Sequence, residues 1–163
     1  MTGTVNMEST RDWLQFAAQV GLANARRAGN PFLYASHAEF LLRHGRSFEW
    51  HPFPRRLRRG VPRQCYRNAA RLALRSGRFV YVEGYAVAPK IGISIEHAWC
   101  IDAARRVVDP TWEDGCDYFG VAFRTDYLRR VVRANRTYGL IYNTPMGHPL
   151  LTGEHSIEEA LAL

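Results

Sequence analysis

The sequence has no apolar run long enough to cross a bilayer, so no membrane partner is expected. Its start, Met1-Thr2-Gly3-Thr4-Val5-Asn6-Met7-Glu8, lacks the basic-then-apolar pattern of a secretory signal. Cysteine is scarce: there are three, an odd number, with no paired metal-ligand spacing. That argues against a disulfide framework or a zinc module, and for reduced thiols in the cytoplasm with no metal and no cofactor. Lysine occurs only at Lys90, against abundant arginine. Internal repeats and low-complexity runs are absent, and nothing marks a second domain.

The composition that remains is ordinary for a globular chain. The 163 residues are 47% hydrophobic and 23% charged, enough to bury a core without staples. Residues 1–163 are therefore expected to form one domain. A helical N-terminal region and basic loop occupy 1–62, a core carrying the chemistry 63–143, and a tail with a short helix 144–163. The net charge of +7, with a cluster at Arg55, Arg56, Arg58 and Arg59, reads either as a nucleic-acid footprint or as a solvated arginine-rich surface. No recognised nucleic-acid motif accompanies it, which favours the second reading and leaves an acidic substrate or partner open.

Periodicity predicts a helix over 10–27, capped by Ser9 or Thr10, with Trp13, Phe16, Ala17 and Val20 on the inward stripe after a loose segment over 1–9. Gly29-Asn30-Pro31 stops it. A second helix is expected over 34–43, ended by Gly45; His37 and His44 on it read as surface or hydrogen-bonded residues. Residues 47–62 form a long connection that either walls a cleft or closes the core edge with its aromatics. A helix follows from Cys65 to Ser76, stopped by Gly77. Strands are expected over 79–87, 96–102, 107–111, 118–123 and 139–143, with a turn after Pro89. A helix over 127–135 is capped by Thr125-Asp126. Pro145, Gly147 and Pro149 break the tail before a helix over 157–163 capped by Ser156.

Three stretches carry the chemistry. Gln64-Cys65-Tyr66 puts a thiol in the first turn of a helix, where unpaired amides and the dipole favour a thiolate and the Cys65 amide suits an oxyanion. In the strand Glu96–Asp102, His97 shares a face with Trp99 and Ile101. That face is expected to meet the Cys65 helix, placing an imidazole near the thiol, while Cys100 points away. Asp109 on the next strand would orient the imidazole. A three-residue hairpin loop puts His97 and Asp109 on one face, and a two-residue loop puts them on opposite faces. Each residue also has a plainer reading: a buried, satisfied histidine and a turn aspartate before proline.

Together these residues resemble a family. Gln64-Cys65-Tyr66 is similar to the Gln-Cys-aromatic nucleophile motif of the transglutaminase-like superfamily. Tyr81-Val82-Glu83-Gly84-Tyr85 resembles its following strand. His97-Ala98-Trp99 looks like its histidine strand and Val108-Asp109-Pro110-Thr111-Trp112 its aspartate strand, in the same order. The resemblance covers about 64–112. It implies a papain-like α+β core, a nucleophile helix packed on an antiparallel sheet, with a catalytic triad of Cys65, His97 and Asp109. It further implies thiol attack on an acyl group and an acyl-enzyme intermediate. Gln64, Tyr66, Trp99 and Trp112 are the expected oxyanion and substrate-binding residues.

Three functions follow as expectations. One is a cysteine protease or amidase, a hydrolase acting on a peptide, protein or small amide. Another is an acyltransferase or transglutaminase that passes the acyl group to an amine. The third is a non-catalytic binding protein whose basic face meets an acidic partner. A zinc site of His97, Cys100 and Cys116 is disfavoured because His97 and Cys100 diverge. The acidic turn Glu113, Asp114 and Asp117 reads as a solvated loop.

Overall fold

The structure, a computed structural model, describes residues 9–29, 32–88, 90–142 and 147–162. The expectations at 1–8, Asn30-Pro31, Pro89, Asn143, Pro145 and Leu163 lie outside these residues. The strands are β1 (Arg46–Phe48), β2 (Val80–Ala88), β3 (Ile93–Ile101), β4 (Val107–Val108) and β5 (Cys116–Phe123). They make one antiparallel sheet in the order β1-β5-β2-β3-β4. β2 and β3, rich in β-branched and aromatic residues, pair from Val80↔Ile101 to Ala88↔Ile93. The helices are α1 (Thr10–Ala28), α2 (His37–His44), α3 (Cys65–Ser76), α4 (Thr125–Asn135), α5 (Pro149–Thr152) and α6 (Ile157–Ala160). Among the described residues no helix is long and apolar enough to cross a membrane.

Alternation along the strands divides the sheet into two faces. Tyr81, Cys100, Phe119 and Phe123 bury against Leu14, Phe40, Ala69, Ala73 and Leu128 of the helices, forming the main core. Val82, Trp99, Tyr118 and Ala122 form a smaller core with Phe48 on the other face. Gly84 and Gly120 are paired neighbours at the sheet centre, and Gly84 also pairs with His97. A Cβ at Gly120 would come within 2.8 Å of the Trp99 ring, so the bare backbone makes room for that indole.

The structure changes several expectations. In α1, Leu14 is buried and Trp13 and Ala17 are half-buried, but Phe16 and Val20 face outward. Its rotation is set at its start, where the Thr10 hydroxyl donates to the Asp117 carbonyl at 2.8 Å and the Thr10 amide to the Asp117 carboxylate. It is set again at Gly21, where a Cβ would come within 2.6 Å of Ser36 Cβ beside α2. Residues 140–142 do not form the expected last strand. Their amides turn instead to the buried Glu83 carboxylate, with Ile141 N–H at 2.9 Å and Tyr142 N–H at 3.3 Å, a side-chain acceptor replacing a ladder. β1 occupies the start of the expected 47–62 connection, and α5 is an additional helix. α4 begins at Thr125, with Arg124 as its N-cap residue rather than Thr125-Asp126.

Candidate active site

Cys65 opens α3, whose N-cap residue, Gln64, makes no side-chain capping bond. The first amides of a helix have no intrahelical acceptor, so the half-buried thiol lies at the end of α3 suited to an anion. The Gln64 Oε1 accepts a hydrogen bond from Arg67 at 2.8 Å, which turns this side chain toward the helix flank.

The turn from β3 to β4 decides where Asp109 goes. Asp102 N–H donates to Arg106 O at 3.1 Å and Arg105 N–H to Asp102 O at 2.9 Å. Arg105 is left-handed, with φ 61°. Three residues therefore lie between Asp102 and Arg106, the connection that keeps His97 and Asp109 on one face. The β3–β4 ladder pairs Cys100 with Val108 and Ile101 with Val107; continued by one residue, it sets Asp109 diagonal to His97.

The two side chains meet. His97 Nε2 donates to Asp109 Oδ2 at 2.6 Å, with the residues 1% and 4% exposed. Tyr118 Oη–H donates to the same Oδ2 at 2.9 Å. Oδ1 accepts the amides of Thr111 at 2.8 Å and Trp112 at 3.0 Å. Burial works to raise the Asp109 pKa, but the His97 bond and charge and the two amides outweigh it and leave it low. For His97, burial alone would lower the pKa. Hydrogen bonding to Asp109 and to Cys65, and the charges of both, reverse this and raise it to about 9. With Nε2 taken by Asp109, Nδ1 is the ring nitrogen left for Cys65. Trp112 covers the imidazole, its ring centroid 3.6 Å away and 6° from parallel, a stacking that favours the charged ring.

His97 sits on the Trp99 face of β3, whereas α3 packs on the opposite face through Ala69, Ala70 and Ala73 against Ala98 and Cys100. The expectation that the His97 face meets the helix is therefore corrected: only the end of α3, at Cys65, reaches the imidazole. Trp99 is wholly buried among Phe48 and Tyr118, beneath the site rather than in contact with solvent or substrate. Tyr66 packs against the main core. Burial, and then the charges of Glu83 and Cys65, push its hydroxyl pKa up. Of the expected binding residues, Trp112 borders a cavity of about 560 Å³, which it lines with Pro62, Arg63, Ile95 and Thr111. Pro62 is the only part of the 47–62 connection in that wall; Phe53 and Leu57 pack on the main core.

Sequence reasoning missed the role of Asn68. Asn68 Nδ2 donates to Val61 O at 2.7 Å and Thr111 Oγ1 at 3.0 Å, while its Oδ1 accepts Val61 N–H at 3.2 Å. It ties α3 to both flanking loops. A buried asparagine one turn after the cysteine runs against helix propensity, and that was the available signal. Tyr118, which by sequence could line the cleft or pack in the core, lies in the smaller core and donates to Asp109. Cys100 Sγ donates to Ala69 O at 3.2 Å, and burial pushes its thiol pKa up; Cys116 is exposed. Among the described residues no three His, Cys, Asp or Glu side chains gather as a metal site. No protein-family model, curated protein or solved structure matches this chain.

Proposed function

We propose that this protein is a cysteine-nucleophile acyl-transfer enzyme on a transglutaminase-like core, most simply an amidase or peptidase. The observation that carries the reading is the buried 2.6 Å His97–Asp109 bond with Cys65 acting on the same imidazole. A ring held protonated near neutral pH is the cationic half of a thiolate–imidazolium pair. The sulfur attacks the carbonyl carbon, forming a C–S bond and a tetrahedral oxyanion beside the first amides of α3. His97 gives its proton to the leaving amine as the C–N bond breaks. It then takes a proton from water, which attacks the thioester and releases the acid and the thiol. Asp109 holds the ring and its charge throughout. An amine in place of that water would make the same steps a transferase reaction. Free thiols suit a reducing compartment, so the proposed location is the cytoplasm.

Iodoacetamide labelling followed by peptide mass analysis tests the reading. At neutral pH Cys65 should label about tenfold faster than exposed Cys116, and the advantage should vanish in His97→Ala. Slower labelling of Cys65 than of Cys116 would sink the proposal.

A further inference from the structure

We propose that α3 carries a second binding element beside the nucleophile: an arginine trough that holds an acidic stretch of a polypeptide substrate. Its use as a substrate subsite rests on the acyl-transfer reading, whereas its geometry does not. Arg67, Arg71 and Arg75 stand four residues apart on α3, so they share one side of the helix and rise about 6 Å from one to the next. Arg58 and Arg59, from the loop ahead of α3, face them across a trough of about 250 Å³ floored by Val61 and Leu72.

Among the described residues no carboxylate lines this trough. Arg59 donates to the carbonyls of Asp109 at 3.1 Å and Trp112 at 2.6 Å, and Arg67 donates to Gln64. Arg58, Arg71 and Arg75 have no ion pair among the described residues. A like-charged row at four-residue spacing repels itself, and no ion pair among the described residues relieves it, so an anionic ligand gains at this place. In an extended chain, alternate side chains recur every 6.6 Å or so, roughly the rise between the arginines. Their forked guanidinium groups suit carboxylates. No aromatic ring lines the trough, so it lacks the stacking platforms that single-stranded nucleic acid uses. Arg67 is two residues past Cys65, and Arg59 holds the Asp109 backbone. An acidic segment in the trough therefore lies along the helix that presents the thiol.

The test is fluorescence anisotropy on full-length Cys65→Ala protein, which cannot turn substrate over. The probe is a fluorescein-labelled ten-residue peptide of alternating glutamate and serine. The expected result is binding that weakens with added salt, is lost when glutamine replaces glutamate, and falls about tenfold or more in Arg71→Glu/Arg75→Glu. Arg71→Gln/Arg75→Gln, checked by circular dichroism, should show an intermediate loss and guards against misfolding of the reversed pair. Absence of binding, undiminished binding by the reversed pair, or tighter binding of a ten-nucleotide oligothymidylate would overturn the proposal. The two readings fail separately. An inert Cys65 in the labelling experiment leaves the trough standing, and a reactive Cys65 without peptide binding leaves the acyl-transfer reading standing.

Discussion

At the scale of single residues, Asp109 organises the site. Its two oxygens accept four hydrogen bonds, from His97, Tyr118, Thr111 and Trp112, so neither oxygen is left unpaired in the interior. Ionisation there has a measurable signature in stability. The His97 pKa is raised above 6.5 to about 9, so the folded state binds its proton more tightly than the unfolded chain does. The stabilisation is fully present below pH 6.5 and is lost as pH rises through 9. Glu83, raised to about 7 mainly by burial and in spite of its four donors, acts in the same direction: its contribution is present below its ordinary value and lost as pH rises through 7. Chemical denaturation at a series of pH values should therefore show stability falling from pH 6 to pH 9. In Asp109→Asn the imidazole keeps its burial but loses the carboxylate whose hydrogen bond and charge do most to outweigh it. The His97 part of that slope should disappear, and Cys65 labelling should lose its advantage over Cys116.

At the scale of elements, α3 is held at its Cys65 end by one side chain. Asn68 bonds both backbone groups of Val61 and the Thr111 hydroxyl, and Gly60 N–H donates to Pro110 O at 2.7 Å. Asn68→Ala leaves the Val61 groups and Thr111 without this partner and should cost about 1–3 kcal/mol. Urea unfolding reads the loss, and labelling of Cys65 should slow because the loops on both sides of it are released. The local signals explain what was legible. Ser9, Gly29 and Gly77 mark helix ends through backbone chemistry that the sequence states directly. The alternation in β2 and β3 likewise follows from residue types. The inward side of α1, the fate of 140–142 and the face of β3 that meets α3 were not legible. Each is fixed by a distant partner: Asp117 and Ser36 for α1, the Glu83 carboxylate for 140–142, and the small residues of α3 for the sheet. The His97–Asp109 meeting was legible as a choice between two loop lengths, and only the Arg105 turn decides it. Trp99 and Trp112 read alike in the sequence, yet one is interior and the other borders the cavity.

At the scale of the whole molecule, one sheet serves two cores, and the candidate site lies where their boundaries meet. The thiol belongs to the helical side. The imidazole, its carboxylate and the covering indole belong to the smaller core on the reverse. The separation between sulfur and ring nitrogen is therefore a dimension of the assembly: it is set by how closely α3 seats on β3. That seat is made of alanines, at Ala69, Ala70 and Ala73, all fully buried. Ala70→Val adds bulk to a packed seam and should lift the helix at a cost of about 1–3 kcal/mol. The His97–Asp109 bond, anchored on the other face, should survive. Labelling of Cys65 would fall while the Asp109 contribution to the imidazole pKa persists, as an NMR titration of His97 can show. In mechanical terms, the alanine seam is a shim, and its thickness sets the gap between the Cys65 sulfur and the His97 ring.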